Sequence, residues 1–252
     1  DGIRDSSVTG VQTCALPIFI MVTENLLWCS RSPAMKVVID GFTKPINALE
    51  IGTWFGKGST QLWLDSLQEG STLTLVDMWK TKSQRETENL QVSVFEDAQQ
   101  VVDNAFNSSY NVVKDFEATG KKVRVNLIRA DSNPFLSQLR TENFDFIYID
   151  GSHRYSDVKY DIQQAKRLAK TTGAIICGDD YELYPNPDNL NELYAQKDDD
   201  QALHHPGVSL AIYEEFGARV NVINGFWWVF THNGEYSREF DKIDTDPNPS
   251  VF

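Results

Sequence analysis

The sequence predicts an α/β fold: a doubly wound, mostly parallel sheet of seven strands, helices on both faces, and an antiparallel strand pair at the C-terminal end. Three observations predict it. Five apolar runs alternate with helical patterns between residues 46 and 180, which places parallel strands beneath crossover helices. Two β-rich runs, ARVNVIN and FWWVFTH, then follow each other directly and read as an antiparallel pair. No internal repeat or linker divides the 252 residues, so one large domain is expected.

Taken in order, KVVIDGF is a short amphipathic helix and INALEIG an apolar strand ending in Gly52. Residues 58–69 read as a helix with Leu62, Leu64 and Leu67 near one face. STLTLVD is the second strand, ending at Asp77. Residues 80–120 are polar and mostly helical, with Val92, Val94, Phe95, Val101, Val102 and Phe106 as their apolar stripe. KVRVNLIRAD is the third strand and FDFIYID the fourth, apolar until Asp150. SDVKYDIQQAKRLAK is an amphipathic helix carrying Val158, Ile162, Ala165 and Leu168. GAIICGDD is the fifth strand. Residues 182–205 form a polar stretch, long enough for a lid, and a helix follows near GVSLAIYEEFG. The tail from about 237, with Pro247 and Pro249, is expected to fray.

Composition excludes several classes of partner. A net charge of −13 repels nucleic-acid backbones and anionic membranes at long range. No apolar run reaches the roughly 18 residues of a membrane span. Cys14, Cys29 and Cys177 are isolated thiols without metal-type spacing, so neither a disulfide framework nor a zinc site is expected, and the compartment read is a reducing cytoplasm.

In sheets of this kind ligands bind beyond the carboxyl ends of the strands. Here those ends carry Glu50-Ile-Gly52, Asp77, Asp131, Asp150 and Asp179-Asp180, acid at or near one edge from five consecutive strands. An Asp in a turn is common as a helix cap, and Asp131 is placed to cap SNPFLSQL. The whole set points to a site. In the first turn, EIGTWFGKGS, the glycines allow a tight bend and close approach of a ligand, and the next helix offers its N-terminus. The spacing G-x-x-x-G-x-G over Gly52, Gly56 and Gly58 is not the dinucleotide pattern, which disfavours a nicotinamide oxidoreductase. Asp77 is placed to accept both hydroxyls of a ribose. If Asp150, Asp179 and Asp180 converge, each pair repels by about 4 kcal/mol at 4 Å and an effective dielectric of about 20. Such a group needs a cation or a shared proton. Oxygen donors alone point to Mg²⁺ or another hard divalent ion.

The stretches ALEIGTWFGKGS, LVDMW, RADS, FDFIYIDGSHRYSDVKYDI and GAIICGDDY, followed by HPGV, resemble the class I S-adenosylmethionine-dependent methyltransferases over roughly residues 45–231. The last three stretches are most similar to the small-molecule O-methyltransferases that act on macrolide and aminocoumarin sugars, with the catechol enzymes as cousins. The resemblance implies a Rossmann-like fold and S-adenosylmethionine as cofactor. It implies that Glu50, Gly52, Thr53 and Gly56 surround the methionine portion, with Ser59 near its carboxylate. Asp77 would hold the ribose, and Asp131 and Ser132 the adenine edge. It agrees with a divalent ion, Mg²⁺ or similar, on Asp150, Asp179 and Asp180. His153 lies where catechol-type relatives carry a lysine base; it is a base or an orienting group, and Asp150 is the alternative base. Substrate selection is expected from Trp54, Trp79, Tyr181, Tyr184, His204 and His205, with Trp227 and Trp228 packed in the last strands. The partner is a hydroxylated small molecule, and self-association into a homo-oligomer is compatible with the sequence. Two other readings stand beside this one: a metal-dependent hydroxylase on the same scaffold, and a non-catalytic cofactor- or sugar-binding module.

A second resemblance concerns the N-terminus. DGIRD, followed two residues later by VTGVQTCALPI, is similar to the in-frame translation of a sequencing-library adapter, with Ser6 and Ser7 as its index. On that resemblance residues 1–18 are non-native and without fixed structure, and residues 19–252 form a single methyltransferase domain.

Overall fold

The structure, a computed structural model, describes residues 31–80, 99–198 and 204–239. The adapter-like segment, Cys14, Cys29, the stripe residues Val92, Val94 and Phe95, and the tail beyond residue 239 lie outside the described residues.

Helix α1 (Arg31–Asp40) precedes strand β1 (Asn47–Ile51); α2 (Ser59–Ser66) leads to β2 (Thr72–Asp77), and α3 (Gln99–Ala118) to β3 (Arg124–Arg129). Then come α4 (Ser132–Gln138), β4 (Phe146–Ile149), α5 (Tyr155–Leu168) and β5 (Ala174–Tyr181). The chain continues through α6 (Leu190–Gln196), α7 (Pro206–Phe216), a 3₁₀ turn, β6 (Asn221–Ile223), β7 (Gly225–His232) and β8 (Glu235–Ser237). The strand order is β3-β2-β1-β4-β5-β7-β6, with β8 pairing β7. The first five strands run parallel and β7 antiparallel to β5. The expected Rossmann-like architecture is present, with one strand more than the seven read from the sequence. The eighth, Glu235–Ser237, turns back on Phe230–His232, so the tail is still paired at residue 237. A second difference is α6, a helix inside the polar stretch at 182–205, where Leu193 buries a side chain.

Side chains alternate between the two faces with the period of two that a strand imposes. Ala48, Phe146, Tyr148, Ile175 and Cys177 pack on one face beneath α1, α2 and α3. Leu49, Ile51, Ile147, Ile149 and Ile176 pack on the other beneath α4, α5 and α7. On α5, Val158, Ile162, Ala165 and Leu168 recur at helical spacing and are buried. Among the described residues no helix is long and apolar enough to cross a membrane.

This order positions the site. β1, β2 and β3 succeed one another to one side and β4 and β5 to the other, so the chain reverses between β1 and β4. Crevices open at such a reversal, beyond the carboxyl ends. Registers Ile51↔Val76, Asp77↔Arg129, Ile51↔Ile149 and Ile149↔Gly178 bring those ends to one edge.

Candidate functional site

A cavity of about 670 Å³ opens at the reversal. Gly52, Thr53, Gly56, Ser59, Asp77, Asp131, Ser132, Asp150, His153 and Asp179 all line it, brought together from loops far apart in sequence. Glu50 and Asp180 are not part of its lining.

The turn after β1 is fixed by contacts within the protein. Gly52 has φ 88°, and a Cβ there would sit 1.9 Å from the carbonyl oxygen of Asp150. The amide of Asp150 donates to the Ile51 carbonyl at 2.7 Å, so the loops after β1 and β4 cross in contact. Glycine at 52 is thus already required by the protein's own backbone. Gly56 backs in the same way onto Ser109 of α3, 3.1 Å from a Cβ at that position.

Asp77 holds this turn in place. Its Oδ2 accepts from the amides of Thr53 at 3.0 Å and Trp54 at 2.9 Å, and its Oδ1 from the amide of Trp79 at 2.9 Å. The Trp54 carbonyl accepts from Trp79 Nε1 and from Ser109 Oγ. Trp79 is therefore fully buried, against Val102 and Ala105, and presents no surface to a substrate. Tyr181 is buried as well. Trp54 lines the cavity and Tyr184 is exposed; Trp227 and Trp228 pack in the core.

Glu50 shares the inner face with Ala48 and is completely buried under α2. Its carboxyl accepts from Ser59 Oγ at 2.5 Å and Thr60 Oγ1 at 2.9 Å. Burial pushes its pKa up to about 8, against the pull of these two hydrogen bonds. The cavity wall at this point is Ser59, not Glu50.

Asp131 is the N-cap of α4, accepting from the Asn133 amide at 3.0 Å, and it lines the cavity in the same position. Ser132 hydrogen-bonds Asp161 on α5, a group the sequence reading passed over. Asp161 is 1% exposed, and its Oδ1 has no hydrogen-bond partner. Burial pushes it up to about 8. The signal was there: position 161 falls on the apolar face defined by Val158, Ile162 and Ala165, where a carboxylate has no packing reason to be.

At the other end of the cavity the acids meet. Burial, then the charges of Asp180 and Asp179, raise Asp150 well above the ordinary carboxylate range. Tyr148 donates its hydroxyl to Asp150 Oδ2 at 3.2 Å. Asp179 pairs with Arg31, yet burial and Asp180 still raise it. Burial opposes ionisation of Asp180 too, but the hydrogen bond and charge of His153, helped by His205 and Arg31, outweigh it and lower its pKa. His153 Nε2 lies 3.0 Å from Asp180 Oδ2, and His205 Nδ1 lies 3.7 Å from Asp180 Oδ1. Among the described residues the grouping with metal-binding spacing is His153, Asp180 and His205, rather than the three aspartates. His205, read from the sequence only as a substrate contact, joins the site because α7 folds back onto the loop after β4.

Comparison with known proteins gives the following. The profile of a family described as a methyltransferase domain matches residues 49–181. No curated protein matches the sequence. Among solved structures, cofactor-bound Rv0187 from MTB is 16% identical over 81% of this chain and 79% of that one, with a TM-score of 0.50. The O-methyltransferase TomG of Streptomyces achromogenes, involved in tomaymycin synthesis and solved with SAM, is 16% identical over 80% and 79%, with a TM-score of 0.48. The O-methyltransferase from Bacillus cereus solved with SAH is 17% identical over 82% and 84%, with a TM-score of 0.46. At this identity the likeness is one of fold.

Proposed function

The chain belongs to the methyltransferase-domain family, and on that premise we propose that it moves the methyl group of S-adenosylmethionine onto a hydroxyl oxygen of a small molecule or sugar. The observation that carries the reading is the cavity at the sheet reversal, which joins a glycine-bearing turn, Asp77 and Asp131 to Asp150, His153 and Asp179. The first group suits a nucleoside: Ser59 and the N-terminus of α2 face the amino-acid portion, Asp77 the ribose, and Asp131 with Ser132 the adenine. The second group suits the acceptor. An acidic surface of net charge −13 fits a small uncharged or cationic acceptor better than nucleic acid.

The reaction is an in-line displacement. The acceptor oxygen attacks the methyl carbon, the new C–O bond forms as the C–S bond breaks, and the sulfonium leaves as a neutral thioether. The protein's share is alignment of the two reactants. Asp150 takes the hydroxyl proton. Its carboxyl, raised by burial and by its neighbours, holds a proton at a pH closer to neutrality than an exposed aspartate does. His153 is engaged with Asp180 and is less suited to that role.

The acids of this second group fit a cation, because burial and mutual repulsion raise Asp150 and Asp179, and a positive charge among them relieves both. Oxygen donors alone, from Asp150, Asp179 and Asp180, would select Mg²⁺, whereas added imidazole selects a softer ion. When bound, such an ion would lower the pKa of the acceptor hydroxyl.

Isothermal titration with S-adenosylhomocysteine and with NAD tests the premise of the site. S-adenosylhomocysteine is expected to bind at one equivalent and NAD to give no heat; binding of NAD alone would overturn the reading. Methyl release onto a panel of hydroxylated compounds, with and without chelator, then tests the chemistry.

A further inference from the structure

Three segments meet at the rim of the cavity. His153 follows β4, Asp180 lies at the end of β5, and His205 immediately precedes α7. One donor atom from each lies within 4.8 Å of the others. The two imidazole rings stand 4.0 Å apart, centre to centre.

This meeting is built into the backbone. Gly207, in the first turn of α7, approaches so closely that a Cβ there would lie 2.4 Å from the His153 carbonyl oxygen and 2.6 Å from the Tyr155 amide nitrogen. The turn carrying His205 is thereby seated on the loop carrying His153. Asp180 has φ 66°, a conformation uncommon outside glycine, at an irregularity between Gly178 and Tyr181 in the pairing of β5 with β7. The Asp180 carboxylate faces both rings, Oδ2 toward His153 and Oδ1 toward His205. Glu182 holds the turn and its ring in place: its Oε2 accepts from the His205 amide at 3.3 Å and stands 3.0 Å from His205 Nδ1. Arg31 pairs with Asp179 and stands 4.0 Å from Asp180 Oδ1, on the side of that carboxylate away from its contact with His153 through Oδ2.

The structure assigns to His153, Asp180 and His205 a seat for one divalent transition-metal ion of the Mn²⁺ to Zn²⁺ series. Donors bound at about 2.1 Å stand roughly 3 to 4.2 Å apart in tetrahedral or octahedral shells; His153 Nε2 and Asp180 Oδ2 are 3.0 Å apart, and one donor from each of the three residues lies within 4.8 Å of the others. Two nitrogens and one oxygen favour these ions over Mg²⁺, which prefers oxygen alone. The seat adjoins the cavity through His153 and leaves the Asp150 carboxyl outside the donor set, so that one group need not serve both as ligand and as base. The use of the ion in methyl transfer rests on the function proposed above, but its binding does not.

The test is titration of the untagged full chain with Zn²⁺, Mn²⁺ and Mg²⁺ by calorimetry, with metal content measured after dialysis and Co²⁺ absorption as the spectroscopic readout. Zn²⁺ is expected to bind at one equivalent, at least 100-fold more tightly than Mg²⁺. His153→Ala and His205→Ala should each weaken Zn²⁺ at least tenfold and bleach the Co²⁺ ligand-field bands, while Asp150→Asn and His204→Ala leave both unchanged. Stoichiometric Mg²⁺ binding lost in Asp150→Asn and retained in both histidine variants would overturn the assignment in favour of an oxygen-only site. So would the absence of stoichiometric binding by any of the three ions. His153→Gln and His205→Gln, checked by circular dichroism, stand in for any alanine variant that does not fold. S-adenosylhomocysteine titrated in parallel separates the two ideas: the metal seat stands if Zn²⁺ follows the histidines even where the nucleoside does not bind.

Discussion

Glu50 and Gly52 are two residues apart and do opposite work. Glu50 carries a pKa near 8 in the folded chain against an ordinary value of 4.5. Between those two values the folded state holds a proton that the unfolded state has released, so stability is fullest below pH 4.5 and is lost as pH rises through 8. At roughly 1.4 kcal/mol per pH step the effect amounts to a few kcal/mol, and Asp161 contributes in the same direction. Glu50→Gln, which keeps the shape of the neutral acid, should therefore gain on the parent chain as pH rises. Urea unfolding at pH 5, 6.5 and 8 measures this, and parallel curves for the two proteins would contradict it. Gly52 answers to geometry instead. Alanine at φ 88° costs about 1–2 kcal/mol in itself, and its Cβ would further force apart two crossing loops. Gly120, at φ 78° with nothing within 4 Å of a Cβ, isolates the first cost. Gly120→Ala should lose about 1 kcal/mol and Gly52→Ala at least twice as much by the same urea assay; equal losses would mean that the crossing is unimportant. Sequence pattern could find Gly52 but not its partner, because spacing reports a tight turn and not the chain that presses on it.

At the scale of elements, α5 and α7 pack together on one face of the sheet, and the start of α7 is locked to the loop after β4. Gly207 is the tightest point, with a Cβ there 2.3 Å from the Lys197 carbonyl oxygen as well as close to His153 and Tyr155. All three are backbone atoms, so they cannot move aside as a side chain would. Gly207→Ala is expected to cost about 2 kcal/mol or more in urea unfolding and to weaken Zn²⁺ binding by drawing His205 away from His153. A stability change below about 0.5 kcal/mol would show that the turn yields. The elements themselves were largely legible. Strands with apolar residues on both faces and an amphipathic α5 identify themselves by period, and the acids ending β1, β2, β4 and β5 do reach one edge. What escaped was short or long-range. The β8 strand has three residues and forms only by turning back on β7. In α6, Leu193 is the buried side chain, too little apolar pattern to mark a helix in a polar stretch. His205 lies 52 positions from His153, and only the folded path of α7 unites them. Trp79 reads from the sequence as a substrate contact because its cover, α3, lies beyond a long polar segment.

For the whole molecule the site is also a joint. The half of the sheet made of β1, β2 and β3 supplies the turn and Asp77; the half made of β4 and β5 supplies Asp150, Asp179 and Asp180. The two halves share the β1–β4 register and the crossing of Gly52 with Asp150. A ligand filling the cavity touches both, so its binding energy acts on the entire domain rather than on one loop. Binding to the folded chain alone adds RT ln(1 + [L]/Kd), or about 2.7 kcal/mol at a hundredfold excess over Kd. For a domain of this size 1 kcal/mol moves the midpoint by roughly 2–4 °C, so saturating S-adenosylhomocysteine should raise Tm by about 5–10 °C in one cooperative transition. NAD at equal concentration should leave it in place. A low-temperature shoulder that stays put while the main transition moves would indicate that the two halves melt separately, and an unmoved midpoint would remove the nucleoside from this cavity altogether.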